Sequence, residues 1–387
     1  IHKGFSRIPV YDEDPERIVG IALIRDVVRA VGNDATDSSE KELKDVMVPA
    51  IYVPENRKIQ QMLTEFRKLH QHLAIVLDEY GGSITLDVPG VDREFSTILF
   101  ESLATSIQPH LQIPSAAEFP AYYNAAIRTL GPVLALSANS PFLPAELYGD
   151  VDDPETLVEA TPHELRIDVF EQSVNRTPNA KVRVPRDIGT TADVVDRVLE
   201  DDRYAPFLRE WIDGGGERAG LADRIWEFDH KRGTYWRWLR CVIGGDRVDA
   251  ANDRRSLRIE YRPIPTQPSV TDVVGTQALV AGVLRGLVEA DHPIAQLPWS
   301  AAESSFYNAA EDGLDAELAW VTADGERTSD SEVVFGEIFD HARSGLEAAG
   351  VPAADIDQYL SPIEGRWDAR TTPSTWKKAR GRDALAE

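Results

Sequence analysis

The chain has 387 residues, 65 acidic and 41 basic, for a formal net charge of −24 at pH 7. Such acidity repels phosphate backbones and argues against nucleic-acid binding, while a hydrophobic content of 42% is enough for packed cores. Cys241 is the only cysteine, which excludes an internal disulfide framework and a cysteine-based metal cluster.

No apolar run reaches the roughly 18 residues of a spanning helix. No signal peptide opens the chain at Ile1-His2-Lys3-Gly4, so a cytoplasmic, multidomain protein is expected. Charge is uneven: residues 1–83 hold 14 acidic and 11 basic side chains and five of the nine lysines, and arginine dominates the rest. This shift argues for two blocks, 1–88 and 89–387. The acidic, lysine-poor composition points to a high-salt cytoplasm, where surface carboxylates keep a protein solvated; an ordinary acidic protein is the alternative.

In the first block, Arg7 to Tyr11 reads as a short strand and Asp12-Glu13-Asp14-Pro15 as a turn. Ile18 to Leu23 is continuously apolar, as in a buried strand, and Asp26 to Ala30 begins a helix. Asp45 to Val53 is extended. Ile59, Met62, Leu63, Phe66 and Leu69 share one helical face within Ile59 to His72. Leu73 to Leu77 is a second buried strand, closed by Asp78-Glu79-Tyr80-Gly81-Gly82, and Ser83 to Val88 is a short strand at most.

Phe5 to Asp12, Ile18 to Ile21 and above all His72 to Gly82 resemble the CBS-domain pair of CorC-type magnesium and cobalt transport-associated proteins. The resemblance covers about 85 residues, the middle of such a pair. It implies adenine-nucleotide binding between two half-domains, with Asp26 at the position that can hold the ribose. From the residues alone, Asp26 also reads as a helix N-cap.

In the second block, Ser106, Gln108, His110 and Gln112 alternate with Ile107, Pro109, Leu111 and Ile113. Over Ala104 to Ile113 this predicts a strand with one polar face able to make directed hydrogen bonds or bind a metal. Arg258, Glu260 and Arg262 share one face of a second strand, opposite Leu257, Ile259 and Tyr261. Two arginines flanking a glutamate suit phosphates and a divalent cation, or else a salt-bridged sheet face.

Phe119, Tyr123, Ile127 and Leu130 keep helical spacing, and Leu130 to Ser137 is an apolar helix ending in the Ala138-Asn139-Ser140-Pro141 turn. Thr234 to Arg240 alternates aromatic and cationic residues, a strand that stacks on adenine or caps a core. Ser269 with Asp272 opens a long helix through Leu287. Gly214-Gly215-Gly216 lacks the lysine and spacing of a phosphate loop.

Ser106 to Ile113, Leu134 to Phe142, Thr234 to Arg240, Arg258 to Pro263 and, more weakly, Gly313 to Ala316 together resemble the carboxylate–amine ligases of glutamate–cysteine ligase type over about 300 residues. The resemblance implies an α+β fold, a glutamine-synthetase-like antiparallel sheet backed by helices, following the small CBS-like α/β block. It implies ATP and Mg²⁺ as cofactors, with glutamate and an amine such as cysteine as substrates: the side-chain carboxylate is phosphorylated and the amine attacks the acyl phosphate. By resemblance His110 and Glu260 match metal positions and Arg262 a catalytic position facing the phosphates. Asn139 and Ser140 shape the pocket, and Trp236 and Arg240 contact substrate or nucleotide.

The sequence departs from this family in two places. The family's opening Gly-x-Glu-Glu-Glu-Phe-like strand, which supplies metal ligands, is expected to be missing here, with the CBS-like block in its place, and Asn308 and Glu311 replace arginines before Gly313. One histidine and one glutamate are too few for several Mg²⁺ ions, so weak or absent ligase turnover is expected. The competing readings are a non-catalytic nucleotide-binding protein that works through its CBS-like block, and a fusion of two gene fragments without joint function.

Overall fold

The computed structural model describes residues 7–12, 14–23, 26–27, 43–54, 74–77, 84–95, 98–149, 151, 153–175, 180–201, 226–233, 235–249 and 254–386. The chain divides into two compact units, Ile1–Gly81 with Arg203–Thr234, and Gly82–Asp202 with Tyr235–Glu387.

In the first unit, β1 (Arg7–Asp12), β2 (Asp14–Leu23) and β3 (Met47–Val48) form an antiparallel sheet in that order. The apolar run expected to be a buried strand is β2, whose Ile21 and Ala22 are buried. β4 (Ile51–Pro54) and β5 (Ala74–Leu77) pair in parallel. A helix spans Trp226–Gly233. Of the helix expected from Asp26, residues 26 and 27 are described and helical. The helix expected over Ile59 to His72, the Asp78 to Gly82 turn and the triple glycine lie outside the described residues.

The second unit opens with an antiparallel hairpin of β6 (Ile84–Val88) and β7 (Val91–Phe95). Its turn is Pro89-Gly90, with Gly90 at φ +76°, the Pro-Gly order of a type II turn. The expected block boundary at 88 and 89 therefore cuts through a hairpin, and β6 lies in the second unit. Its burial alternates strictly, with Ile84, Leu86 and Val88 inward. Gln172 holds its backbone by a reciprocal amide pair, accepting from Asp87 N at 2.8 Å and donating to Asp87 O at 2.9 Å.

A second sheet runs in the order β8 (His110–Gln112), β10 (Arg254–Tyr261), β9 (Leu239–Asp249), all antiparallel. The strand expected over Ala104 to Ile113 is shorter, because Pro109 has no N–H to give the ladder. The segment still tracks β10 and its extension: Ser106 bridges Pro265, Ile107 N donates to Ile264 O, and Ile113 N donates to Leu257 O. Likewise the strand in the aromatic stretch begins only at Leu239, after residues 235–237 outside regular secondary structure and a bend at Trp238.

α1 (Phe119–Ser137) backs this sheet. Sixteen of its residues are buried, Tyr123 OH donates to Leu239 O, and Thr129 lies 3.4 Å from the Tyr261 hydroxyl. The apolar segment past Leu130 continues the same helix through Gly131-Pro132, and Gly131 is needed because a Cβ there would sit 2.7 Å from Ser305 O. Shorter helices follow: α2 (Pro154–Ala160), capped by Asp153, α3 (Arg166–Val174), and α4 (Thr191–Glu200), opened by a Thr190–Asp193 capping box.

α5 (Val270–Glu289) starts at the Ser269 cap as expected. With a mean hydropathy of 1.2 over its best window, it is long and apolar enough to cross a membrane, which corrects the expectation that no segment qualifies. It packs as a core helix against α7 (Ser331–Ala348) and α8 (Ala353–Asp368). Gly275, Gly282 and Gly286 meet backbone carbonyls of those helices, Tyr359 O, Ala342 O and His341 O, where any Cβ would collide. α6 (Trp299–Asp312) crosses α1, and α9 (Pro373–Ala386) closes the chain.

Candidate functional site

Register decides which side chains meet. Glu260 pairs with His110 on one side and with Arg240 on the other, while Arg258 pairs with Gln112 and Val242. Side chains at paired positions share a face, so His110, Gln112, Arg240, Arg258 and Glu260 line one side of the sheet. The opposite side carries Leu239, Cys241, Ile259 and Tyr261, all buried. The period-two pattern of the sequence is thus realised as one charged and one apolar face.

On the charged face Glu260 is buried and nearly saturated. His110 Nε2 lies 3.4 Å from its Oε1, Arg240 Nε donates to Oε2 at 2.6 Å, and Arg262 Nη1 stands 3.5 Å from Oε2. Burial alone would raise the Glu260 pKa, but Arg240, Arg262 and His110 together hold it below the ordinary carboxylate value. Burial lowers the His110 pKa, and Arg258, Arg240 and Arg262 add to this against the pull of Glu260. Arg262, desolvated and repelled by Arg240, is brought down to about 10.

The sequence reading missed Glu101, in the short 3-10 helix Ile98–Leu103, whose charge couples to Arg262. Burial raises its pKa, and Arg262 opposes that rise.

Two guanidinium nitrogens on this wall, Arg258 Nε and Arg262 Nε, are buried with no hydrogen-bond partner among the described residues. Buried donors are rarely left so. They fit the oxygens of a phosphate or carboxylate, which guanidinium groups hold well. Mg²⁺ is a poor fit at His110 and Glu260: it wants several oxygen ligands, and the Glu260 oxygens already face an imidazole and two guanidinium groups.

Asn139 and Ser140 build a second cluster. Their backbone amides donate to Glu164 Oε2 at 2.9 and 3.1 Å, and Glu164 is fully buried beside Arg166. Asn139 Nδ2 donates to Thr266 O, and Lys377 Nζ donates to Asn139 O. Arg166 Nη2 donates to the Pro263 carbonyl, next in chain to Arg262, so the two clusters are tied through backbone. Asn139 Oδ1 is buried without a hydrogen-bond partner among the described residues.

Trp236 is half-buried, with its ring 6.1 Å from that of Phe170. Trp238, not Trp236, is the core aromatic: it is 1% exposed, meets Phe170 and Phe306 with tilted rings, and donates from Nε1 to Glu171 at 2.7 Å. Tyr307 OH donates to the same Glu171 oxygen at 2.8 Å. Burial pushes Glu171 up to about 7, against these two hydrogen bonds. Neither Glu171 nor Glu164 carries a sequence signal, because each lies on or beside a short helix without periodic charge.

The reading that no acidic strand precedes the His110 strand is also corrected. β7 carries Asp92 and Glu94, both exposed, between the Gly90 turn and Phe95. In the run Gly90-Val91-Asp92-Arg93-Glu94-Phe95, Arg93 separates the two acidic side chains and hides the acidic pattern. Asp26 is half-buried among the described residues.

A helix-backed antiparallel sheet with one charge-dense face, preceded by a small unit of short sheets, defines a mixed α+β protein with a polar sheet site. The chain belongs to glutamate-cysteine ligase family 2 (GCS2), which matches residues 91–383, so the match begins on β7 itself. A CBS domain matches residues 1–33. The chain is similar to the magnesium and cobalt efflux protein CorC of Vibrio cholerae, 38% identical over 77 residues, which cover 20% of this chain and 25% of that protein. It is 39% identical over 82 residues to CorC of Escherichia coli, with coverages of 21% and 27%. The chain thus spans about a quarter of the length of these curated relatives. A solved CBS domain of a bacterial CNNM/CorC family Mg²⁺ transporter is 34% identical, covering 21% of this chain and 48% of that one, with a TM-score of 0.19.

Proposed function

We propose that the unit beginning at Gly82 is an ATP-dependent carboxylate–amine ligase of glutamate–cysteine ligase type with weakened turnover. Arg258 and Arg262 receive phosphate oxygens of the nucleotide or of the acyl phosphate. Their buried, unpartnered Nε atoms carry this reading. In the reaction a glutamate side-chain carboxylate oxygen takes the γ-phosphoryl group and ADP leaves. The amine nitrogen then attacks the carbonyl carbon, and inorganic phosphate departs with its bonding electrons as the amine loses a proton. Guanidinium groups fixed where negative charge gathers would stabilise both steps. Glu260 holds the Arg262 guanidinium in place, with Arg240 on the same carboxylate oxygen. Mg²⁺ would need carboxylates beyond this wall, and Asp92, Glu94 and Glu101 are acidic residues that precede the His110 strand in sequence.

The test is ADP release from ATP by the purified chain with Mg²⁺, glutamate and cysteine. Slow release that depends on both amino acids and disappears in Arg262→Met supports the reading. Release unchanged by Arg262→Met contradicts it.

A second reading is a CBS-type adenine-nucleotide-binding protein, favoured by the match over residues 1–33 and the similarity to CorC. Under it, Asp26→Ala abolishes AMP or ATP binding and Glu260→Gln leaves binding intact. Under the ligase reading, Glu260→Gln weakens ATP binding.

A further inference from the structure

We propose that His292, Glu337 and His341 form a site for one divalent transition-metal ion of the zinc class. Glu337 and His341 lie one turn apart on α7, on the same side of the helix. His292 follows the end of α5 and opens the short 3-10 helix Pro293–Gln296. One ligand atom from each of the three lies within 4.8 Å of the others. His292 Nε2 is 3.2 Å from Glu337 Oε2, and the two imidazoles meet edge to face with centroids 4.8 Å apart.

Two imidazoles and one carboxylate are a common ligand set for a zinc ion that keeps an open fourth position. Donors at zinc distances sit roughly 3.4 Å apart in a tetrahedron, so small side-chain rotations close the site. The His292 side chain is fully buried, yet its Nδ1 has no hydrogen-bond partner among the described residues. A buried imidazole nitrogen left over in a group already facing a carboxylate is the observation that points to a ligand.

The surroundings hold the donors as a metal's outer shell does. Trp320 Nε1 donates to Glu337 Oε2 at 2.8 Å, and Ala323 N donates to Glu337 Oε1 at 3.1 Å. Such partners fix the orientation of a ligating side chain. Burial lowers the pKa of both imidazoles, and hydrogen bonds from Trp320 and Ala323 hold Glu337 below the usual carboxylate value despite its burial. The close Gly286–His341 backbone approach sets α5 against α7, and an ion here would clip the end of α5 to α7.

The experiment titrates Zn²⁺ into the chelator-treated full chain by calorimetry and records the visible spectrum with Co²⁺. The expected result is one Zn²⁺ per chain and a tetrahedral-type Co²⁺ spectrum. His341→Ala and Glu337→Gln should each weaken binding by at least about 10-fold, and His110→Ala should leave it unchanged. If His341→Ala does not fold, the Co²⁺ spectrum of the unaltered chain and the Glu337→Gln titration decide. Binding that is absent from the unaltered chain, or unaffected by His341→Ala and Glu337→Gln, overturns the site.

Discussion

His110 Nε2 and Glu260 Oε1 face one another at 3.4 Å across the β8–β10 pair, although the two residues lie far apart in the chain. On the far side of Glu260, Arg240 Nε closes to 2.6 Å on Oε2. One buried carboxylate therefore sets the positions of an imidazole and two guanidinium groups, and leaves two guanidinium Nε atoms unsatisfied. This is how a sheet face made mostly of cations stays folded and still presents donors to an anion.

Removing Glu260 should leave Arg240 and Arg262 repelling each other in a buried site. Glu260→Ala is expected to destabilise the chain by about 3–5 kcal/mol, the usual cost of deleting one partner of a buried charge pair. Urea denaturation followed by tryptophan fluorescence measures it. A loss below about 1 kcal/mol would show that the arginines do not depend on this carboxylate.

The pH dependence should be dominated by carboxylates whose burial keeps them protonated. Burial raises Glu171 to about 7, and burial with the charge of Glu311 raises Asp168 to about 6. A folded pKa above the unfolded one means that the folded chain holds a proton the unfolded chain releases. The associated stability is full below the ordinary carboxylate value of 4.5 and is lost as pH rises through about 7. Glu171→Gln keeps an oxygen to accept from Trp238 and Tyr307 and removes the titration. Between about pH 5 and pH 8 the unaltered chain should lose stability that the variant keeps, on the order of 3 kcal/mol. Parallel denaturation profiles for the two proteins would contradict this.

What the sequence disclosed, it disclosed through period. The alternation at Ser106 to Ile113 and at Leu257 to Arg262 put the right residues on the right face, because a strand has one simple repeat. Register cannot be read that way, so the pairing of Glu260 with His110 rested on family resemblance until the sheet was seen. Pro109 shortened the strand it was expected to share. The hairpin at Pro89-Gly90 was hidden by a composition change placed one residue before the turn glycine. Glu101, Glu164 and Glu171 act through burial and long-range partners, and neither leaves a repeat. The His292, Glu337 and His341 cluster is invisible for the same reason: only its Glu337–His341 spacing is local.

The α5–α7 crossing rests on glycines meeting carbonyls, Gly282 against Ala342 O and Gly286 against His341 O. A side chain there forces the helices apart. Gly282→Leu is expected to lower stability by about 1–3 kcal/mol or more, as overpacking does, with a lower Tm by calorimetry. Gly336→Ala, where a Cβ would meet nothing, should be neutral or slightly stabilising. Equal Tm changes for the two would contradict the crossing.

The central claim is that Arg258 and Arg262 receive phosphate, and calorimetric titration of Mg²⁺-ATP tests it most directly. An Asp26→Ala background removes binding attributable to the CBS-like block. In that background the chain should still bind ATP, and adding Arg262→Met should weaken binding by at least about 10-fold, the loss expected for a charge-assisted contact of roughly 1.4 kcal/mol or more. ATP affinity that vanishes with Asp26→Ala alone, or that persists unchanged after Arg262→Met, would contradict the account.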